Sequence, residues 1–131
     1  MPDFLIDGTR LHYTEVGDGP ETVVFSHSYL LDHHHFDAQI AALAGRFRVL
    51  AYDHRGHGQS DRPRGTCSME HIYSDGVRVA ELLGRGPVHW VGRSTGGYVG
   101  LRFAIRRPEL LRSLVLMDTA AGPEPAPLPG R

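Results

Sequence analysis

The sequence predicts an α/β fold built on a mostly parallel, doubly wound sheet with helices on both faces. Two observations carry that prediction. Short, almost continuously apolar runs recur along the chain, as buried strands do: Thr22 to Ser26, Phe47 to Tyr52, Val88 to Val91 and Leu110 to Met117. Between them lie stretches of helical periodicity, giving the order β-β-β-α-β-α-β-α-β, and strands that alternate with helices pair in parallel. At 131 residues the chain reads as one domain, long enough to bury a core.

The elements follow in order. Phe4 to Ile6 and Leu11 to Val16 read as strands joined at Asp7-Gly8, a common hairpin pair. Gly17-Asp18-Gly19-Pro20 is a loop before the strand Thr22 to Ser26. Phe36, Ile40 and Leu43 then fall at i, i+4, i+7, with Asp32 as N-cap and Gly45 as stop, which predicts an amphipathic helix. After the strand Phe47 to Tyr52 comes a polar loop, Asp53 to Ser60. A second helix is expected from Ser68 to Leu83, with Met69, Ile72, Gly76, Ala80 and Leu83 on one stripe. His71 stands where a capping box would hold Glu or Gln. Gly76 lowers helix propensity by roughly 1 kcal/mol, so a close neighbour is expected there. Thr95 to Arg107 is apolar on most sides at first, as a buried helix should be, and Pro108 ends it. Leu110 to Met117 is the last strand. Residues 120–131 form a Pro-rich tail expected to be unstructured, with the domain spanning 1–119.

Composition removes several function classes. Fourteen basic and fifteen acidic residues leave a formal charge of −1, which argues against a nucleic-acid or anionic-membrane partner. The single cysteine, Cys67, cannot form an internal disulfide, so a reducing compartment is the default. The first residues have neither a basic nor an apolar leader pattern, and no apolar run approaches membrane-spanning length. A cytoplasmic protein is expected.

The most informative stretch is Val88 to Tyr98, Val-His-Trp-Val-Gly-Arg-Ser-Thr-Gly-Gly-Tyr. A short strand meets a serine, and a helical pattern starts at once. Turning a strand into a helix over one residue strains the backbone of that residue. Gly92 and Gly96 remove the side chains that would collide across the bend. The Ser94 hydroxyl is then lifted clear, beside its neighbour's N–H. Gly92-Arg93-Ser94-Thr95-Gly96 is the G-x-S-x-G pattern of a nucleophile elbow, and with it the chain resembles the α/β-hydrolase fold superfamily, in its serine-nucleophile branch. Thr22 to Leu43 and Val88 to Thr119 look most like enol-lactonase, haloperoxidase-type and C–C bond hydrolases. Asp53-His54-Arg55-Gly56-His57-Gly58-Gln59-Ser60 resembles the family's loop after the fourth strand, Asp-x-Arg-Gly-x-Gly-x-Ser.

The resemblance implies roles. Ser94 would be the nucleophile of an ester, lactone or related carbonyl hydrolase. The oxyanion would be held by the N–H of Thr95 and, from the loop after the third strand, that of Tyr29. His27-Ser28-Tyr29 stands where the family usually has His-Gly and the donor, so Ser28 replaces a glycine. Asp53 and Arg55 are expected to pair and brace their loop, lining the site without taking part in the chemistry. Asp118, at the end of the last strand, occupies a position that carries the triad acid in a minority of members. A serine at position 94 argues against the relatives that use aspartate there, the haloalkane dehalogenases and epoxide hydrolases. No metal or organic cofactor is implied.

Other clusters read differently. Consecutive residues at a helix start are about 100° apart around the axis, so His33-His34-His35 should not converge on one ion and reads as a solvated helix start. Asp53, His54 and His57 lack a third cluster at ligand spacing. Cys67 precedes a helix and is assigned no role. Gly92 to Gly97 is not G-x-G-x-x-G, and Tyr98 stands where a phosphate-binding loop needs lysine.

What a serine hydrolase also needs is a base and an acid, in the family order Ser, Asp or Glu, His. No histidine follows Ser94 in these 131 residues, and His89 lies too early. The resemblance covers only about the first half of the family's domain, strands one to six. Leu110 to Met117 looks like an interior strand, and without a neighbour it would be a sticky edge. Self-association or a complementing chain through that strand is one expectation. The alternative to a hydrolase is a catalytically incompetent fragment, or one half of a split protein. The expected partner in the first reading is a small-molecule substrate.

Overall fold

The computed structural model describes residues 3–6, 8–27, 33–62 and 68–117. Its elements are β1 (Asp3–Ile6), β2 (Thr9–Val16), β3 (Thr22–Ser26), α1 (Asp37–Leu43), β4 (Arg48–Tyr52), α2 (Met69–Leu83), β5 (Val88–Arg93), α3 (Thr95–Arg106) and β6 (Leu111–Met117). The strands lie in the order β1-β2-β4-β3-β5-β6. β1 to β2 and β2 to β4 are antiparallel, whereas β3 pairs in parallel with both β4 and β5, and β5 with β6. The mostly parallel sheet of the sequence reading is therefore present, opened by an antiparallel hairpin. Residues 118–131, including Asp118 and the Pro-rich tail, lie outside the described residues, as do Ser28, Tyr29, Asp32 and Cys67.

Strand alternation divides the core in two. Val24 and Leu50 face α2 and α3, in a cluster with Tyr52, Val79, Trp90, Val99 and Phe103. Their neighbours Val23, Phe25, Val49 and Ala51 face the other way, onto Phe36 and Ile40 before and within α1. Successive side chains of a strand point to opposite faces, and both faces here are covered, so β3 and β4 are buried along their whole length.

Local departures from the sequence reading have physical causes. His33–Phe36 form a 3-10 turn, and the α-helix starts only at Asp37. In α2, His71 does serve the capping box: its N–H donates to Ser68 Oγ at 3.2 Å, and its Nδ1 reaches the Ser68 N–H at 3.4 Å. A neutral imidazole nitrogen accepts a hydrogen bond as a carboxylate does. A Cβ on Gly76 would come within 2.9 Å of Val99 Cγ1 and 3.2 Å of Trp90, the close approach its place in the stripe predicts. α3 is not buried on most sides. Val99 and Phe103 are enclosed, yet Ile105 is 81% exposed, because only one face of the helix meets β5, β6 and α2. β6 is the last strand of the sheet among the described residues, with Val115 and Leu116 exposed. No helix of the described residues is long and apolar enough to cross a membrane.

Candidate active site

β5 runs through Arg93 and α3 begins at Thr95, so Ser94 alone makes the turn. Its φ of 49° and ψ of −106° lie in left-handed territory that a side chain disfavours, at a cost of about 1–3 kcal/mol. The surroundings hold it there. The Ser94 N–H donates to the Met117 carbonyl, and the Tyr98 N–H to the Ser94 carbonyl, both at 2.9 Å. A Cβ on Gly92 would run into the Gly96 carbonyl, and one on Gly96 into the Ser26 carbonyl. The fully buried Trp90 donates its indole N–H to that same Gly96 carbonyl at 3.1 Å. Thr95 opens α3, where the first N–H groups have no acceptor inside the helix and the positive end of the dipole gathers.

Beneath the elbow, at the carboxyl ends of β3 and β4, lies a buried polar cluster. His54 Nε2 stands 3.0 Å from Ser26 Oγ and 3.1 Å from the His27 carbonyl. A carbonyl only accepts, so the His54 proton sits on Nε2. The His54 N–H in turn donates to His27 Nε2 at 2.9 Å, which puts the His27 proton on Nδ1. Tyr52 Oη lies 3.1 Å from Ser26 Oγ. Burial, followed by the nearby His27 and His57, holds the His54 imidazole well below its ordinary value, so it is neutral. Burial likewise pushes the Tyr52 phenol up.

Asp53 and Arg55 do not brace their loop by pairing, as the sequence suggested. The Asp53 carboxylate accepts from the His33 N–H and Nδ1, each at 2.7 Å, and from the Gln59 N–H at 2.9 Å. Burial alone would raise this carboxyl, but the hydrogen bonds from Gln59 and His33 outweigh it and hold it below its ordinary value. Arg55 instead forks onto Asp75 of α2, at 2.6 and 2.7 Å. Ser60 ties the loop to the sheet, its hydroxyl donating to the Asp53 carbonyl and accepting the His12 N–H.

The chain thus brings Ser94, Gly92, Gly96 and Ser26 together, with His27 joined to Ser26 through His54, while Asp53 and Arg55 turn to His33 and Asp75. Of the sequence-predicted site residues, Ser28, Tyr29 and Asp118 lie outside the described residues. His89 is at the other end of β5, with Nδ1 2.6 Å from Ser113 Oγ and Nε2 2.6 Å from Glu21. It cannot serve Ser94 from there. The histidine run behaves unlike a solvated helix start: His33 is buried, drawn in by Asp53, while His34 stays exposed. Trp90, Ser26 and Asp75 were missed as supporting residues. Their roles depend on partners far away in sequence or on a tertiary contact, and only the apolar setting of Trp90 hinted at burial.

Comparison with known proteins identifies the fold. Residues 21–131 match the family described as alpha/beta hydrolase fold. RutD of Caulobacter vibrioides, a candidate carbamate hydrolase, is 37% identical over 127 residues, covering 92% of this chain and 45% of the relative. The 3-oxoadipate enol-lactonase 1 of Acinetobacter baylyi is 35% identical over 107 residues, covering 79% and 40%. The crystal structure of the enol-lactonase from Burkholderia xenovorans LB400 superposes with a TM-score of 0.86 at 34% identity, covering 91% of this chain and 47% of that one. The chain spans less than half the length of each of these relatives.

Proposed function

Because this chain belongs to the α/β-hydrolase fold family, we propose that it is the nucleophile-bearing part of a serine hydrolase acting on an ester, lactone or related carbonyl compound. The observation that carries the reading is the strained backbone of Ser94, held between Gly92 and Gly96 at the strand-to-helix junction. A residue is kept in such a conformation when its surroundings over-determine it, which is common at catalytic centres.

In this reading Ser94 Oγ attacks the substrate carbonyl carbon and gives up its proton to a general base. The oxyanion of the tetrahedral intermediate is met by the N–H groups of Thr95 and Tyr29, each donor lowering the barrier by about 3–4 kcal/mol. Collapse expels the leaving alkoxide, which takes up the proton, and leaves an acyl ester on Ser94. Water then attacks that ester by the same route in reverse. The base is a histidine from outside these 131 residues, since none follows Ser94 here. The buried His54 and His27 hold the carboxyl ends of β3 and β4 together.

The short span relative to the known hydrolases, with the missing histidine, favours a second reading in which these residues alone are catalytically silent. Completion through the side of β6 that has no neighbouring strand among the described residues, by further polypeptide or by a partner chain, fits the exposure of Val115 and Leu116. We place the protein in the cytoplasm on its single cysteine. Hydrolysis of p-nitrophenyl esters by the purified protein decides between the readings. Activity abolished by Ser94→Ala supports the serine hydrolase. Activity untouched by that change overturns Ser94 as nucleophile, and a folded but inactive protein favours the silent reading.

A further inference from the structure

His12 in β2 and His33 in the 3-10 turn before α1 are both buried, 2% and 3% exposed, with ring centroids 5.2 Å apart. Each ring carries a carboxylate on Nδ1. Asp3 Oδ1 lies 3.0 Å from His12 Nδ1, and Asp53 Oδ1 lies 2.7 Å from His33 Nδ1. An ionised carboxylate only accepts, so each Nδ1 carries a proton and Nε2 is the atom each ring turns away from its carboxylate. Those two Nε2 atoms are buried and have no hydrogen-bond partner among the described residues. Buried polar atoms are rarely left so, and two in adjoining rings call for a reason. Asp53 completes the group, with one donor atom of each of the three residues within 4.8 Å of the other two. Its carboxylate has about four lone-pair sites, and His33 and Gln59 use three of them.

We propose that His12, His33 and Asp53 bind a divalent cation of the zinc class. Two imidazoles and a carboxylate form a familiar donor set for that ion, with water in the fourth position. Asp3 on the far nitrogen of His12 is the arrangement that orients a metal-ligating histidine, whereas Asp53 must give up its hydrogen bond to His33 Nδ1 to join an ion held on Nε2 of that ring. Tetrahedral ligands about 2.0–2.2 Å from zinc stand closer together than 4.8 Å, so the three groups draw inward on loading. A groove of about 310 Å³, lined by Thr14, Glu15, His33, Asp37 and Ile40, adjoins the group at His33. The ion would clip β2, the segment after β3 and the loop after β4 to one another. It lies outside the hydrolytic chemistry of Ser94, and its presence does not depend on that reading.

The test is titration of the metal-free purified protein with zinc against a chromophoric chelator, repeated with cobalt(II) to read coordination from its visible spectrum. One equivalent is expected to bind. His12→Gln and His33→Gln should each weaken binding at least about tenfold, and Asp3→Asn about 10–100-fold as an orienting residue. His34→Ala, on the exposed neighbour, should leave it unchanged. Circular dichroism checks the fold of each variant. If the histidine variants unfold, imidazole 15N spectra of the wild-type protein decide, since zinc must move the Nε2 resonances of His12 and His33. No uptake by the folded wild type, uptake that survives in folded His12→Gln, or loss of binding in His34→Ala alone would overturn the proposal.

Discussion

Arg55 and Asp75 stand 20 residues apart and meet as a two-pronged ion pair, Nε to Oδ2 at 2.6 Å and Nη2 to Oδ1 at 2.7 Å. Asp75 is buried on the inner face of α2, and Arg55 is nearly so, in the loop after β4. The pair fixes that loop to the helix layer.

Breaking the pair leaves an uncompensated buried charge. Asp75→Ala and Arg55→Ala are each expected to destabilise by about 3–5 kcal/mol. Replacing both with apolar residues of similar size should restore much of the loss. Urea unfolding of the two single variants and the double variant measures the coupling, and additive losses would show that the two groups do not act as a pair.

Acid stability should carry the mark of Glu15. The Arg48 guanidinium, donating from Nε at 2.8 Å, holds the Glu15 carboxyl below its ordinary value. A group depressed in the folded state stabilises at pH above its unfolded value, about 4.3 for glutamate, and loses that contribution as pH falls through the folded value. Glu15 is one-third exposed, so the contribution is about 1 kcal/mol at most. Glu15→Gln should therefore be less stable than wild type near neutrality and converge with it in acid. Urea midpoints measured across the acid range check this, and parallel curves would remove Glu15 as the cause.

How far the sequence revealed this molecule follows from the range of each signal. β3 and β4 were legible because a strand covered on both faces must be apolar throughout, and Val23-Val24-Phe25 says so without its partners. The elbow was legible because Gly92, Ser94 and Gly96 sit within five residues, and the clashes they avoid are with Gly96 itself and with the neighbouring strand. Arg55 pairs with Asp75 and not with Asp53 because Asp53 is close only in sequence while Asp75 is close in space. His33 looked solvated among three histidines, since nothing local says that Asp53 and His12 lie against it. Exposure of Ile105 is illegible for the converse reason: an apolar residue does not reveal which side of a helix has a neighbour.

The strain at Ser94 predicts an unusual ranking of variants. Glycine accepts a φ of 49° without the steric cost a Cβ brings, whereas alanine does not. Ser94→Gly should therefore be more stable than Ser94→Ala by about 1 kcal/mol, even though glycine usually costs stability through the unfolded chain. Thermal unfolding of the pair reads the difference directly. Equal stability would mean that the backbone relaxes once the serine is gone.

Trp90 joins the fold to the elbow, and its indole N–H can be removed without emptying the core. Trp90→Phe keeps an aromatic ring against Phe103, whose centroid lies 4.8 Å from that of Trp90. It removes the indole donor that the Gly96 carbonyl accepts beside its helical one, a loss of about 0.5–1.5 kcal/mol, with a further cost from the smaller ring. The carbonyl belongs to the peptide that presses against Gly92 and follows Thr95, so its release should also loosen the first turn of α3. Amide exchange at Gly97 and Tyr98 would then quicken more than exchange in β3. An increase spread evenly over the sheet would instead mean that Trp90 acts only through its volume, with no special hold on the turn that carries Ser94.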